Sequence, residues 1–400
     1  MIINNIVEVD KFHTFILSKY QILKLNKKEA KYLQILASYM NIVNNKYKTF
    51  EALHDFFAKN YDLSYQVSYQ RYGMLYLLKY EMRGVDPYYV SDDRYNYTYL
   101  LKKFNEISKP LIEDNKFSKK FLNQVKKIYQ TEVQDELNDN DFKATYYSLN
   151  YLFKNLEIDY ITLLNKKELK EINEVNLYNF YKRINKEKSY IILAGNNTLE
   201  NNKAINVKNE YLHAYKNPKL KGGTVIKKYK STQAYLRIYY NIGIYSGTKD
   251  IAKMSMYCYI LGQSGYSKLF SIVREKYGLC YDIDCDTDFS TGIFYITSTI
   301  KKKDYNKVID AIDEAIDKSL DDINLEKIKS YFITSQDASY DYIRTYVSNA
   351  FYNNNFKDIL LDEEYKSYLK EITLDDLYEM KSLLKKKKLI YLFGGDIDEN

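Results

Sequence analysis

The apolar residues near the start of the chain first follow helical spacing and then form patterns typical of strands. Within residues 28–42 they fall three or four positions apart, at Ala30, Leu33, Ala37 and Met40, which predicts a helix with one buried face. The segments Leu63–Tyr72 and Met74–Met82 are instead typical of strands and are separated only by Gly73. They predict two strands joined by a tight turn. The first half therefore combines helices with an antiparallel hairpin.

The second half of the chain repeats the plan of the first. Helical segments precede a predicted strand in both halves, with the sequence SYIILAG at residues 189–195 and KLIYLFG at residues 388–394. Such a repeat predicts an α+β fold with two similar units of about 200 residues, each a mixed or antiparallel sheet with packed helices. We place these units at residues 1–200 and 224–400, with a polar linker at residues 201–223.

Composition and charge exclude several classes of protein. Hydrophobic residues make up 46% of the chain and charged residues 28%, with only 13 Gly and 3 Pro, as in folded globular proteins. The net charge is +7, from 60 Lys and Arg against 53 Asp and Glu, and the two signs are mixed along the sequence. We therefore expect no nucleic-acid partner, because such proteins concentrate basic residues in a patch or stripe.

The sequence also lacks signals for export or membrane insertion. Residues 1–10 include acidic residues and no apolar core of a signal peptide, and no apolar run reaches the length of a membrane span. The cysteines Cys258, Cys280 and Cys285 are odd in number and lack metal-binding spacing, which favours reduced thiols. We expect a cytoplasmic protein without a membrane partner.

One stretch of the second half carries candidate chemistry. Residues 262–281 read GQSGYSKLFSIVREKYGLCY, which predicts a turn, a serine-capped helix that ends at a glycine, and the start of a strand. Arg274 at the helix end and Tyr281 at the strand start can point into one cleft. Arginine offers fixed donors for a carbonyl or carboxylate, and a tyrosine hydroxyl can donate to a developing oxyanion. Alternatively, Arg274 pairs with Glu275 or Asp282, and Tyr281 is a core residue.

The same stretch resembles the signature of the second half of M16 peptidases, the insulinase and pitrilysin-type family. The similarity is clearest over Gly223–Asp321 and is mostly architectural elsewhere. It implies the M16 fold, similar to that of LuxS-type metallohydrolases, in which two α+β units form half of a clam-shaped chamber. It also implies that Arg274 and Tyr281 contact substrate beside a zinc ion.

The zinc motif of that family, H-x-x-E-H, is absent from this sequence. The chain has three histidines, His13, His54 and His213, and none has Glu and a second His at that spacing. The helix expected to carry the motif reads EAKYLQILASYM from Glu29 to Met40. Because the two His of that motif bind the zinc and its Glu activates water, we predict no metal site and no catalytic residue in this chain alone. The three histidines are interpreted as ordinary surface or boundary residues.

The resemblance accounts for the presence of Arg274 and Tyr281 in a chain that lacks the zinc motif. Two-unit M16 chains often form heterodimers in which one subunit carries H-x-x-E-H and the other supplies the Arg and Tyr. This chain is similar to the second kind, which implies a homologous zinc-bearing partner and an unfolded peptide substrate bound as an added strand. It would be inactive alone, and by analogy the pair would process a ribosomally made peptide precursor. The alternative is a non-enzymatic peptide-binding or scaffold protein with the same fold.

Overall fold

The computed structural model describes residues 2–156, 159–196, 203–214, 222–265, 267–385 and 388–395. The first half of the chain forms, in order, β1 (Asn5–Glu8), β2 (Thr14–Leu23), α1 (Lys27–Ile42), α2 (Phe50–Ala58), β3 (Ser64–Tyr72), β4 (Leu75–Val85), α3 (Tyr97–Ile107), β5 (Ile112–Glu113), β6 (Lys116–Phe117), α4 (Lys119–Glu136), α5 (Asn140–Leu152), α6 (Lys166–Glu171), α7 (Glu174–Ile184) and β7 (Ser189–Gly195).

The second half forms, in order, β8 (Gly223–Lys227), β9 (Ala234–Asn241), α8 (Asp250–Cys258), β10 (Cys280–Asp288), β11 (Ile293–Ile300), α9 (Tyr305–Asp317), α10 (Leu325–Ala338), α11 (Ile343–Asn355), α12 (Asp362–Glu371), α13 (Leu374–Leu383) and β12 (Lys388–Gly394). Between α8 and β10 lie two π-helical segments, Tyr259–Gln263 and Leu269–Lys276. Within the described part of the chain, no helix is both long and apolar enough to cross a bilayer.

The two main sheets share one topology. The first has five strands in the order β1-β7-β2-β4-β3, and the second has five in the order β8-β12-β9-β11-β10. In each sheet one edge strand runs parallel to its neighbour, β1 with β7 and β8 with β12, while the other pairs are antiparallel. The predicted α+β fold with two similar mixed sheets is confirmed, and the two related sequences near residues 189 and 388 form equivalent strands.

Helix α1 shows why the local sequence folds as predicted. The Asn26 side chain accepts a hydrogen bond from the Glu29 amide at 3.0 Å, and the Glu29 carboxylate accepts one from the Asn26 amide at 3.1 Å. This capping box satisfies two amides that the first helical turn leaves unpaired. The predicted apolar face is buried, with exposures of 2% or less for Ala30, Leu33, Ala37 and Met40.

Each compact unit contains a segment from the other half of the chain. Unit 1 consists of Met1–Asp135, Leu156–Tyr211 and Ser339–Lys357, and unit 2 consists of Glu136–Asn155, Leu212–Ala338 and Asp358–Asn400. Helix α5 thus belongs to unit 2, and helix α11 belongs to unit 1. The boundaries predicted from the sequence, 1–200 and 224–400, are contiguous and do not include this exchange. Of the predicted linker 201–223, residues 201–202 and 215–221 lie outside the described residues.

The exchanged helices pack on the sheets of the units that contain them. In unit 1, the Phe351 ring of α11 stacks on Tyr20 of β2 with 3.9 Å between the ring centroids. In unit 2, Ser148 of α5 lies 2.6 Å from the Tyr239 hydroxyl of β9, and Ala144 joins a buried cluster with Phe393. Burial of these residues gives both helices a structural role in covering a sheet.

Candidate functional site

Tyr281 is the extra residue of a β-bulge at the start of β10. In the ladder with β11, Cys280 pairs with Ile300 and Asp282 pairs with Thr299, which leaves Tyr281 between two consecutive pairs. Two residues of β10 therefore oppose one residue of β11, which is the definition of a bulge. Bulges occur often beside functional sites because they redirect a side chain.

The bulge decides that the Tyr281 side chain is exposed. Ile283 and Cys285 of the same strand are buried, at 7% and 1% exposure. Side chains alternate between the two faces of a strand, so regular pairing would place Tyr281 on their buried face. Because the bulge breaks this alternation, Tyr281 is 48% exposed. The alternative interpretation of Tyr281 as a core residue is wrong.

Arg274 is an exposed residue of the π-helical segment that precedes β10. Its guanidinium carbon lies 4.9 Å from the centroid of the Phe270 ring, a cation–π distance. Among the described residues, Arg274 forms no ion pair with Glu275 or Asp282. The donors of Arg274 are therefore not committed to either of the acids that the sequence offered as partners.

The turn between Arg274 and Tyr281 closes the helix as the sequence predicts. Gly278 adopts a positive φ of 60°, a conformation that glycine reaches without the steric cost of a Cβ. The Gly278 amide donates to the Arg274 carbonyl and the Leu279 amide to the Val273 carbonyl, each at 3.0 Å. These bonds satisfy carbonyls at the helix end and lead the chain directly into β10.

Electrostatics link Arg274 to the start of β10. Burial raises the pKa of the Cys280 thiol, and the nearby charge of Arg274 acts in the opposite direction. The guanidinium is therefore within electrostatic range of the residue that precedes Tyr281. The structure thus brings the two predicted residues to the same end of β10, one on the helix and one on the bulge.

The serine-capped helix predicted within residues 262–281 is π-helical over Leu269–Lys276, and so is the segment Tyr259–Gln263 before it. The Ser264 amide donates to the Tyr259 carbonyl at 2.8 Å, and the Tyr277 amide to the Ile272 carbonyl at 3.2 Å, both five residues back. These π-type bonds are frequent at functional sites. Ser267 caps the second segment as predicted, because its hydroxyl accepts from the Phe270 amide at 3.1 Å.

The helix that would carry a zinc motif has a structural polar residue at its centre. Gln34 of α1 is 4% exposed. Its amide nitrogen donates to the Thr162 carbonyl at 2.7 Å, and its amide oxygen accepts from the Tyr129 hydroxyl at 2.7 Å. In the described residues, no three His, Cys, Asp or Glu side chains lie close enough to hold a metal ion. Both polar atoms of the Gln34 amide thus bond residues outside α1, as is usual for a buried polar group.

His213 differs from its interpretation as a surface or boundary residue, which holds for the exposed His13 and His54. It is 1% exposed, with Nδ1 2.9 Å from Asp358 Oδ1 and Nε2 3.2 Å from Ser246 Oγ. The arrangement of Asp358, His213 and Ser246 resembles a hydrolase triad. A histidine that transfers protons in catalysis must reach the substrate, however, and this imidazole is enclosed. The network is structural, and a lone histidine in a polar segment gave no local signal of burial.

Comparison with known proteins supports the resemblance at the level of one domain. Residues 172–331 match the family described as "Peptidase M16 inactive domain", a range that includes both Arg274 and Tyr281. No curated protein matches the chain.

Solved structures extend the likeness to the whole chain. A conserved protein from Enterococcus faecalis V583 has a TM-score of 0.86 at 18% identity, over 99% of this chain and 96% of that one. A peptidase M16 inactive domain from Pseudomonas fluorescens has a TM-score of 0.75 at 17% identity, over 99% and 96%. A protease from Helicobacter pylori has a TM-score of 0.74 at 13% identity, over 98% of both chains. The chain therefore has the fold of M16 inactive-domain proteins, and its residues 172–331 match that family.

Proposed function

We propose that this chain is the zinc-less subunit of a two-subunit M16-type peptidase and that it binds unfolded peptide through Arg274 and Tyr281. The observation that carries the proposal is the bulge, which leaves Tyr281 exposed at the start of the strand that follows the segment with the exposed residue Arg274. Both residues fall within the range that matches the M16 inactive domain. The likeness to a Helicobacter pylori protease and a Pseudomonas fluorescens M16 domain adds support for a peptidase context.

The two side chains suit different atoms of a peptide. The guanidinium of Arg274 presents paired donors for a backbone carbonyl or a terminal carboxylate. The hydroxyl of Tyr281 is a single donor for the oxygen that becomes negative when water attacks the scissile carbonyl. The zinc ion that activates this water would be held by H-x-x-E-H of a homologous partner subunit. This chain would contribute substrate binding and stabilisation of the oxyanion.

The position of β10 supports binding of the peptide as an added strand. β10 is an edge strand of its sheet, so its outer backbone groups can pair with an extended chain. A peptide paired with the start of β10 would pass beside Tyr281. An unfolded segment fits this geometry because its own backbone groups are not already used in secondary structure.

The experiment is peptide cleavage by this chain reconstituted with a zinc-bearing M16 subunit, using an unfolded fluorogenic peptide. Loss of one oxyanion donor typically costs about 10²–10³ in rate, and we expect Tyr281→Phe to fall in that range. Arg274→Lys keeps the charge but loses the planar fork, so it should reduce the rate nearly as much as Arg274→Ala. Tyr331→Phe is the matched control, because Tyr331 is 49% exposed on α10.

Each variant must first be shown to pair with the partner and to melt like the wild type. Full activity from a correctly assembled Arg274→Ala, Tyr281→Phe double variant would reject the proposed role of the pair. The second candidate function, a non-enzymatic peptide-binding or scaffold protein, predicts that result together with unchanged peptide binding. The match of residues 172–331 to an inactive domain is the observation that favours this second candidate function.

A further inference from the structure

We propose that Cys258 and Cys285 form a redox modification site, a pair of buried thiols that a low-molecular-weight disulfide converts into an intrachain disulfide. Cys258 is the last residue of α8, and Cys285 lies on the buried face of β10. The bond would join the helix to the strand that presents Tyr281. This inference stands on the geometry of the two thiols and is independent of the proposed peptidase function.

The two sulfur atoms already lie close together. Their separation is 3.5 Å, and a disulfide needs about 2.05 Å, so the atoms must approach by roughly 1.5 Å. Each thiol also donates to the backbone carbonyl of the other residue, at 3.4 Å in both directions. The side chains therefore point toward each other, with the two sulfur atoms in contact.

The surrounding residues hold the pair in place. Cys258 and Cys285 are 2% and 1% exposed. Gly262 lies against the Cys285 sulfur, and a Cβ at that position would overlap it. The Gln263 side chain donates to the Cys285 carbonyl at 3.0 Å. The π-helical segment Tyr259–Gln263 thus packs around the sulfur with a glycine at the point of closest approach.

The chemistry is two successive thiol–disulfide exchanges. Because both thiols are buried, the first exchange takes place when the fold opens locally around them. One cysteine thiolate then attacks a sulfur of the small disulfide, which forms a mixed disulfide and releases one small thiol. The second cysteine then attacks the protein sulfur of the mixed disulfide and releases the other small thiol. The cysteine pair loses two electrons and two protons, and the two released thiols gain them. Burial raises the pKa of the Cys285 thiol well above its usual range, so the reaction should accelerate as the pH rises.

The test uses the native, full-length chain incubated with oxidised glutathione at mildly alkaline pH, then acid-quenched, denatured and alkylated with N-ethylmaleimide. The chain has three cysteines, and we expect one alkylated thiol instead of three and no retained glutathione. Cleavage after Lys and Arg separates Cys258 from Cys280 at Lys268, and cleavage before Asp separates Cys280 from Cys285 at Asp282. The combined digest should release a Cys258–Cys285 crosslinked peptide. The oxidised chain should unfold at a temperature higher by roughly 5 °C, because the crosslink restricts the unfolded chain.

Cys280 provides the matched control, since it is only partly buried and faces Ser298. Cys280→Ser should form the same crosslink to the same extent, whereas Cys258→Ser and Cys285→Ser should not form it. If Cys258→Ser or Cys285→Ser fails to fold, the crosslinked peptide from the unmutated chain still identifies which cysteines are joined. Three alkylatable thiols after prolonged oxidation, glutathione retained on a single cysteine, or a crosslink through Cys280 would each overturn the proposal.

Discussion

The guanidinium of Arg237 in β9 donates a hydrogen bond of 2.5 Å to the carboxylate of Asp141 in α5. Arg237 is 1% exposed, and its other donors bond the Thr145 hydroxyl at 3.1–3.2 Å and the carbonyls of Asp141 and Leu236 at 3.1 and 3.0 Å. A buried charge needs such partners, because leaving it unpaired in a low dielectric is costly. The pair anchors a helix from the first half of the chain on the sheet of unit 2.

Replacement of Asp141 with Ala should destabilise unit 2 strongly. The variant leaves the buried guanidinium of Arg237 with neutral acceptors only. Because the Asp141 side chain is itself 53% exposed, solvent screens the pair, and its loss should cost roughly 1–3 kcal/mol. Urea unfolding followed by circular dichroism measures the change. Asp135→Asn is the control, since Asp135 is exposed on α4, and it should change the unfolding free energy by less than about 0.5 kcal/mol. Equal stability of the two variants would contradict the anchoring role.

Cleavage of the predicted linker should not separate the two halves of the chain. A protease site inserted near residue 222 leaves α5 on the first fragment and α11 on the second, yet each helix covers a sheet made by the other fragment. We expect the cut fragments to elute together in size-exclusion chromatography under native conditions.

The same exchange predicts that the halves do not fold alone. Fragments 1–200 and 224–400 would each lack one sheet-covering helix, which exposes apolar surface, so they should aggregate when expressed separately and recover when co-expressed. A sharp unfolding transition from either isolated, monomeric fragment would show that the exchanged helices are dispensable.

Asp376 should make stability depend on pH in the acid range. Burial raises the pKa of its carboxyl, but hydrogen bonds from Lys253 and Thr373 outweigh that effect and lower it to about 2. Lys253 Nζ lies 2.8 Å from Asp376 Oδ1, and the Thr373 amide donates to Oδ2 at 2.8 Å. A folded-state pKa below the unfolded value of about 3.9 contributes stability above that value, which is lost as the pH falls toward about 2.

Asp376→Asn should therefore be less stable than the wild type near neutral pH, and the difference should shrink as the pH falls below about 4. The side chain is partly exposed, so solvent screening limits the effect to less than about 1 kcal/mol. Urea midpoints measured across this range test the prediction, with the exposed neighbour Asp375→Asn as the control. If the loss of stability in Asp376→Asn is the same at every pH, its cause is packing and not charge.

The purified chain should bind no stoichiometric zinc and should not cleave peptides alone. Helix α1 carries neither histidine nor cysteine, and the His213 ring nitrogens already contact Asp358 and Ser246. Metal analysis after dialysis, combined with a peptide-cleavage assay on the isolated chain, is the measurement. About one tightly bound zinc per chain that disappears on replacement of any single histidine would contradict this expectation.

Local patterns in the sequence determined the elements and their repetition. The helix predicted at residues 28–42 spans Lys27–Ile42, because both its apolar spacing and its capping box are properties of nearby residues. The strands predicted on either side of Gly73 and the paired sequences SYIILAG and KLIYLFG form as expected. The end of the helix at Gly278 also follows from local chemistry, since few other residues adopt its φ at low cost.

The tertiary structure alone decided where these elements pack and which site residues are exposed. An amphipathic helix has an apolar face but no signal for a particular sheet, so the sequence could not show that α5 and α11 exchange between halves. The exposure of Tyr281 depends on an offset in pairing with β11, and the burial of His213 depends on Asp358, far along the chain. Such features arise from contacts between distant residues, and periodicity within a short window does not encode them.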